Sequence, residues 1–403
     1  MLSIRNNIYS IYRFQRVLSF YQKNKRICSN SSSIQLNSKL KKLFDSKQYK
    51  EALELFDQKF EECTDFTISM GIKACTISKD YNRGIKIERN LSSNSINNSY
   101  IQASLIQFHM QHGDIVNATR LFSKITNKSN YIYTVMFKGL ISNNMPEKVL
   151  DLFDEITIEA NKYTVTVLFN ACAALANNRA RKIGKKLLDK MPENLRNDNI
   201  VLTSAIHMLI KFGDIQNAEN LFQSIKKKDI ITYGAMMKGY IENQMSEKAL
   251  NVFKQINIEL DNRTYAIVFN ACAELANDRA IKIGKKVLGE MPRNFRNDNV
   301  VLTSAINMLI KFGDIQNAEN LFQSIKKKDI ITYGAMMKGY VKNQMSEKAL
   351  DLIEQIELNL NNVAYTIAFN ACTELANDRA MKIGKKLLDQ MSENLRNDNV
   401  VLN

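Results

Sequence analysis

IKFGDIQNAENLFQSIKKKDIITYGAMMKGY runs from Ile210 to Tyr240 and recurs, letter for letter, from Ile310 to Tyr340. A weaker copy lies one hundred residues upstream, where QHGDIVNATRLFSKI (111–125) precedes YIYTVMFKGL (131–140). FNAC stands at 169–172, 269–272 and 369–372, and KIGKK at 182–186, 282–286 and 382–386. A chain built on a fixed period folds as units stacked on their neighbours, so most of the 403 residues form one array rather than two or three globular domains.

One hundred residues exceeds a single supersecondary unit, and apolar spacing divides it. Ala218, Leu221, Phe222 and Ile225 fall at helical intervals after Gly213, a helix stop, and Asp214, an N-cap. Tyr233, Met236, Met237 and Tyr240 make the next helical face, and Ala249, Val252, Phe253 and Ile256 the one after it. Ser246 marks the turn between those two, where the copy one period earlier has Pro146, a residue suited to the first helical position. Three antiparallel helix pairs therefore fill each period, with Ala218, Gly239, Ala249 and Ala271 where helices approach. A single pair cannot bury its apolar stripe, and stacking pairs buries a continuous core.

Composition agrees. Three prolines and fourteen glycines are few breakers for this length, and no apolar run approaches a membrane span. Cys172, Cys272 and Cys372 are one repeat position written three times, and Cys75 fits the same slot. Such residues lie a repeat apart and read as small buried hydrophobes rather than metal ligands. The three histidines, His109, His112 and His207, form no ligand cluster, and no nucleophile triad or phosphate loop emerges, so neither metal, cofactor nor catalytic residue is expected. Residues 1–44 hold nine Lys or Arg and no acid, which leaves +6 of the net +15 to the rest. Residues 1–32 have the basic, acid-free, Ser- and Asn-rich composition of a mitochondrial transit peptide, and the alternative is a basic arm gripping nucleic acid. The array then spans 33–403.

DIITYGAMMKGYIENQMSEKALNVFKQI (229–256) closely resembles the pentatricopeptide repeat, whereas the early Trp and regular late Pro of tetratricopeptide repeats are missing. The hundred-residue period is similar to the triplets of the PLS subclass: a short motif at 199–229, an ordinary one at 230–261 and a long one at 262–298. Within the long motif ELANDRA reads as a loop somewhat longer than the family's. The resemblance covers residues 33–403, about eleven motifs, and implies an all-α, right-handed α-solenoid superhelix of stacked antiparallel helix pairs.

The resemblance further implies single-stranded RNA on the concave face, one nucleotide per motif, with no DNA and no membrane. The fifth and last residues of a motif would read the base, and the second would pack on it. The fifth/last pairs are Thr134 with Asn161, Thr166 with Asp198, Thr203 with Asp229, Gly234 with Asp261, Ala266 with Asp298, Thr303 with Asp329, Gly334 with Asn361, and Thr366 with Asp398. Second positions include Tyr163, Ile200, Ile231, Arg263, Val300 and Ile331. By family analogy Thr with Asp favours G and Thr with Asn favours A, and the expected core is A–N–G–N–N–G, taken from Thr134, Thr203 and Thr303 in that order, with Gly234, Ala266 and Gly334 silent. A last-position Asp also suits plain capping of the following helix, and the recurring register leaves both roles open. The KKK runs at 226–228 and 326–328 divide between helix-dipole complementation and phosphate contact.

The implied function is selection of sites on mitochondrial matrix RNA for editing, processing or stabilisation, alongside an RNA-processing or editing enzyme. The chain stops at VVLN, five residues into another short motif. The expectation is therefore a fragment, with any C-to-U deaminase domain beyond residue 403 or in a partner. The alternative is a tetratricopeptide-like scaffold that binds protein peptides.

Overall fold

The computed structural model describes residues 33–391 except 155, 157, 158, 357 and 358. The expected targeting segment and Asp398 therefore lie outside the described residues. The chain divides after Arg196 into two compact units.

In the first unit the helices pair as 33–45 with Tyr49–Gln58, Asp65–Ser78 with Tyr81–Arg89, Ser99–Gln111 with Ile115–Lys124, Asn130–Ser142 with Pro146–Asp154, and Lys162–Leu175 with Asn178–Asp189. The second unit has six pairs: Asn199–Lys211 with Ile215–Ser224, Ile230–Glu242 with Ser246–Phe253, Asn262–Leu275 with Asp278–Glu290, Asn299–Lys311 with Ile315–Ser324, Ile330–Lys342 with Ser346–Gln355, and Asn362–Leu375 with Asp378–Gln390. Each unit is an α-solenoid, and no strand occurs among the described residues. From the second pair of the first unit onward, each first helix packs on its own second helix and, within the unit, on the first helix of the next pair.

Three turn chemistries recur, one per motif class. Short motifs turn at Gly213 and Gly313, both at φ +73, a left-handed conformation natural to glycine. Asp214 then caps the following helix by accepting from the Asn217 amide. Ordinary motifs turn at Gln244 and Gln344, in the same left-handed region, and Pro146, Ser246 and Ser346 open the second helix as expected. Long motifs turn at Ala176, Ala276 and Ala376, at φ between +44 and +49, followed by Asn177, Asn277 and Asn377 as side-chain caps.

The long-motif turn corrects one expectation. ELANDRA is not an extended loop: Leu275 ends one helix, Asp278 begins the next, and only Ala276 and Asn277 lie between them. The added length sits in a 14-residue first helix and in the 3-10 turn Arg293–Asn297. Ile256 also falls beyond the helix that ends at Phe253, although it remains half-buried.

Close approach is achieved as the small residues implied. Ala218, Ala249 and Ala271 are buried, and at Gly239 a Cβ would stand 2.2 Å from Ile210 Cδ1. Between second helices, arginine clamps recur in the long motifs. Arg179 donates to Glu147 and Asp151, both at 2.7 Å, and Arg379 donates to Glu347, Asp351 and Glu354. Cys75, Cys172 and Cys272 are buried, and burial pushes each thiol up to about 12, the state of inert packing residues.

Candidate nucleic-acid interface

Every first helix from Asp65 onward begins beside a capping side chain, and the cap is the last residue of the preceding motif. Asp229 Oδ1 accepts from the Thr232 amide at 2.8 Å, Asp329 from Thr332 at 2.8 Å, and Asp261 from Thr264 at 2.8 Å. Asp298 accepts from the amides of Val300 and Val301, and Asp198 from those of Ile200 and Val201. Asn161 and Asn361 cap in the same way. The capping role left open by sequence is therefore realised at all these positions. It uses one side-chain oxygen of each residue, and at Asp229 both bonds fall on Oδ1.

The second residue after each cap points outward. Tyr163, Ile200, Ile231, Val300 and Ile331 are between 52% and 66% exposed, and Arg263 is exposed as well. The third residue, by contrast, is buried: Thr164, Thr232, Thr264 and Thr332. Isolated exposed apolar side chains are commonplace, but one at the same register in successive hairpins is a pattern. Sequence reasoning missed Phe66, Tyr100, Tyr131 and Val363, which occupy the same place. The signal was available, since each is the second residue after Thr64, Asn98, Ser129 or Asn361. In the first unit this register is aromatic, with the Tyr100 and Tyr131 rings 6.2 Å apart. In the second it is aliphatic apart from Arg263.

The fifth-position threonines fall into two groups. Thr166 and Thr366 donate to backbone carbonyls one turn back, Lys162 O at 2.7 Å and Asn362 O at 3.0 Å. Thr203 and Thr303 instead reach the third residue of the next motif. Thr203 Oγ1 lies 2.8 Å from Thr232 Oγ1, which donates to Asp229 Oδ1 at 2.7 Å. Thr303 Oγ1 lies 2.9 Å from Thr332 Oγ1, which donates to Asp329 Oδ1 at 2.7 Å. The fifth and last residues of these motifs are thus joined through a buried hydroxyl. Thr134 has a version of both arrangements, donating to Asn130 O at 2.7 Å and lying 3.2 Å from Thr164, whose hydroxyl is 3.2 Å from Asn161 Oδ1. Gly234, Gly334 and Ala266 bring no hydroxyl to Asp261, Asn361 and Asp298. Thr166 and Asp198 belong to different units.

Burial pushes the Asp329 carboxyl up, and bonds from the Thr332 hydroxyl and amide and from Asn299 outweigh it, leaving the group below the ordinary carboxylate value. Asp298 is lowered likewise, with Asn262 and the Val301 and Val300 amides opposing burial.

The KKK runs divide by position. Lys228 Nζ sits 4.9 Å from the Phe222 ring centroid and donates to Ile225 O at 2.7 Å, and Lys328 repeats this on Phe322 and Ile325. Each closes the end of the preceding helix. Lys226, Lys227, Lys326 and Lys327 are exposed. Within the first unit a groove of about 660 Å³ runs beside Tyr131, Val135, Lys138, Thr166 and Asn170. His109 is held by Glu88 and Asp114 at 3.0 and 3.1 Å, a structural arrangement. No group of three potential metal ligands occurs among the described residues.

The pentatricopeptide (PPR) repeat model matches residues 131–158, 200–230, 231–257, 300–330 and 331–359. The chain carries pentatricopeptide repeats. The five matched repeats are the ordinary and short motifs, in nearly the register set by the helix caps. The repeat protein is 27% identical over 332 residues to a mitochondrial pentatricopeptide repeat-containing protein of Arabidopsis thaliana, covering 80% of this chain and 47% of that one. A chloroplastic relative from the same plant is 25% identical over 363 residues, covering 86% and 41%. The chain thus spans about half the length of the curated relatives it matches. Among solved structures, the pentatricopeptide repeat protein PPR10 from maize aligns over 89% of this chain and 58% of its own, with a TM-score of 0.58 at 16% identity. The same protein is known in complex with an 18-nt RNA element, where the TM-score is 0.54 at 14% identity.

Proposed function

We propose that this pentatricopeptide-repeat protein binds single-stranded RNA sequence-selectively in mitochondria, where it selects transcript sites for editing, processing or stabilisation. The observation that carries the proposal is the recurrent trio at the start of successive first helices. From the helix Asp65–Ser78 onward, an exposed second-position side chain, a fifth-position group and a capping side chain, Asp or Asn in all but two cases, repeat once per hairpin in each unit. One outward apolar or aromatic face per hairpin suits one base per hairpin, and the hydroxyl and carboxylate beside it suit that base's edge. The RNA complex of PPR10 and the organellar names of the relatives support the reading. Three turn chemistries repeating every hundred residues support assignment to the PLS subclass. Residues 1–32 would direct import into the matrix, and an RNA-processing or editing enzyme would act at the selected site.

The test is equilibrium binding of the purified chain to a short RNA carrying A–N–G–N–N–G, to its scramble and to duplex DNA. Preference for the first RNA, weakening with salt, is expected. Equal binding to all three refutes the proposal, and affinity for peptides instead supports a protein scaffold.

A further inference from the structure

We infer that Thr232 and Thr332 are positioning residues for base selection: each fixes the hydroxyl proton of the preceding motif's fifth residue so that Thr203 and Thr303 face the ligand as acceptors only. This rests on the RNA reading above.

Counting protons gives the direction of each bond. A carboxylate accepts and never donates, and a hydroxyl has one proton. Thr232 spends its proton on Asp229 Oδ1 at 2.7 Å. The 2.8 Å approach of Thr203 to Thr232 must then be a donation from Thr203, which leaves only lone pairs on its outward side. The same holds for Thr303, Thr332 and Asp329. Both relay threonines are buried, shielded from water that would otherwise scramble the direction. Thr203 itself is half-buried and Thr303 is 9% exposed. This oxygen and the carboxylate joined to it through the relay hydroxyl offer two acceptors within one motif. Of the four bases, guanine has two adjacent donors, N1–H and N2–H, on its Watson–Crick edge. Discrimination at these motifs therefore depends on a residue that touches no base and lies 29 positions along the chain from the one it orients.

The experiment selects bound sequences from a random single-stranded RNA pool with the full chain, for wild type, the pair Thr232→Val with Thr332→Val, and the pair Thr232→Ser with Thr332→Ser. Wild type is expected to enrich guanine at two positions three nucleotides apart. The valine pair should lose about fivefold or more of that preference at both positions and nowhere else, the factor appropriate to one misdirected hydrogen bond. Its affinity for RNA lacking those guanines should stay unchanged, and the serine pair should behave as wild type. If the valine pair does not fold, Thr232→Ala with Thr332→Ala carries the same expectation. A folded valine pair that keeps the wild-type guanine preference overturns the inference and leaves the RNA reading intact. Absence of RNA binding by wild type overturns both.

Discussion

Gly234 and Gly239 lie five positions apart on the helix Ile230–Glu242, yet alanine at the two should act in opposite directions. A Cβ at Gly234 would meet nothing nearer than Ile267 Cδ1 at 3.7 Å, an ordinary contact. Replacing glycine by alanine in a helix interior is worth about 1 kcal/mol, so Gly234→Ala should stabilise by about that amount. At Gly239 the added carbon would lie 2.2 Å from Ile210 Cδ1, 2.9 Å from Cγ1 and 3.0 Å from Cγ2. Three atoms along the side chain are affected, so a swing of its tip cannot relieve the clash. Overpacking of this kind costs about 1–3 kcal/mol, which outweighs the helical gain and leaves a net loss of up to about 2 kcal/mol. The following repeat supplies an independent copy. Gly334 has nothing within 4 Å, and Gly339 faces Ile310 Cδ1 at 2.3 Å.

The assay is urea unfolding of the four single variants, with amide exchange of each altered helix as a local readout because arrays need not unfold in two states. Ile210→Val deletes the nearest of the three atoms and leaves the two γ carbons, so it should rescue part of the Gly239→Ala loss in a double-mutant cycle. Equal stabilisation by Gly234→Ala and Gly239→Ala, or no rescue by valine, would refute the packing argument.

Three further tests concern charge. Replacing Lys226, Lys227, Lys326 and Lys327 with glutamine should flatten the salt dependence of RNA binding, by up to about 0.7 in log–log slope for each phosphate no longer neutralised, and leave the melting midpoint in place. Lys228→Gln should lower the midpoint instead, since that lysine caps a helix over Phe222. In acid, burial pushes the Asp114 carboxyl up, but bonds from Asn117 and Tyr81 more than offset this and bring it from 3.8 to about 2. Its folded value is depressed, so its contribution is complete above 3.8 and disappears as pH falls to about 2. Asp114→Asn should reduce the loss of stability across that window, as read by urea midpoints at successive pH values.

The stacked hairpins are legible in the sequence because the repeat and the apolar spacing are both one-dimensional signals. The short and ordinary turns are legible for the same reason: Gly213 and Pro146 announce their backbone conformations. The long-motif turn is not, because Ala276 adopts a left-handed conformation that alanine ordinarily avoids, at φ +44, and nothing local marks it. Of the site, the caps and outward second positions follow from counting past each Asp or Asn. The link from Thr203 through Thr232 to Asp229 does not, since it depends on how one hairpin seats on the next. The division of KKK is hidden similarly, as Lys228 is singled out by the Phe222 ring beneath it rather than by its neighbours in sequence.

Because the residue that closes one motif caps the helix of the next, each junction is made from both sides. The block 230–329 ends, like the segment before it, in KKKD. Its excision would join Asp229 to Ile330 and recreate a boundary identical to the native one, with cap, hydroxyl relay and lysine turn intact. Copy number can therefore drift by whole blocks with no seam to repair. On the proposed reading, each such event would lengthen or shorten the recognised RNA by three nucleotides and leave the remaining text unaltered.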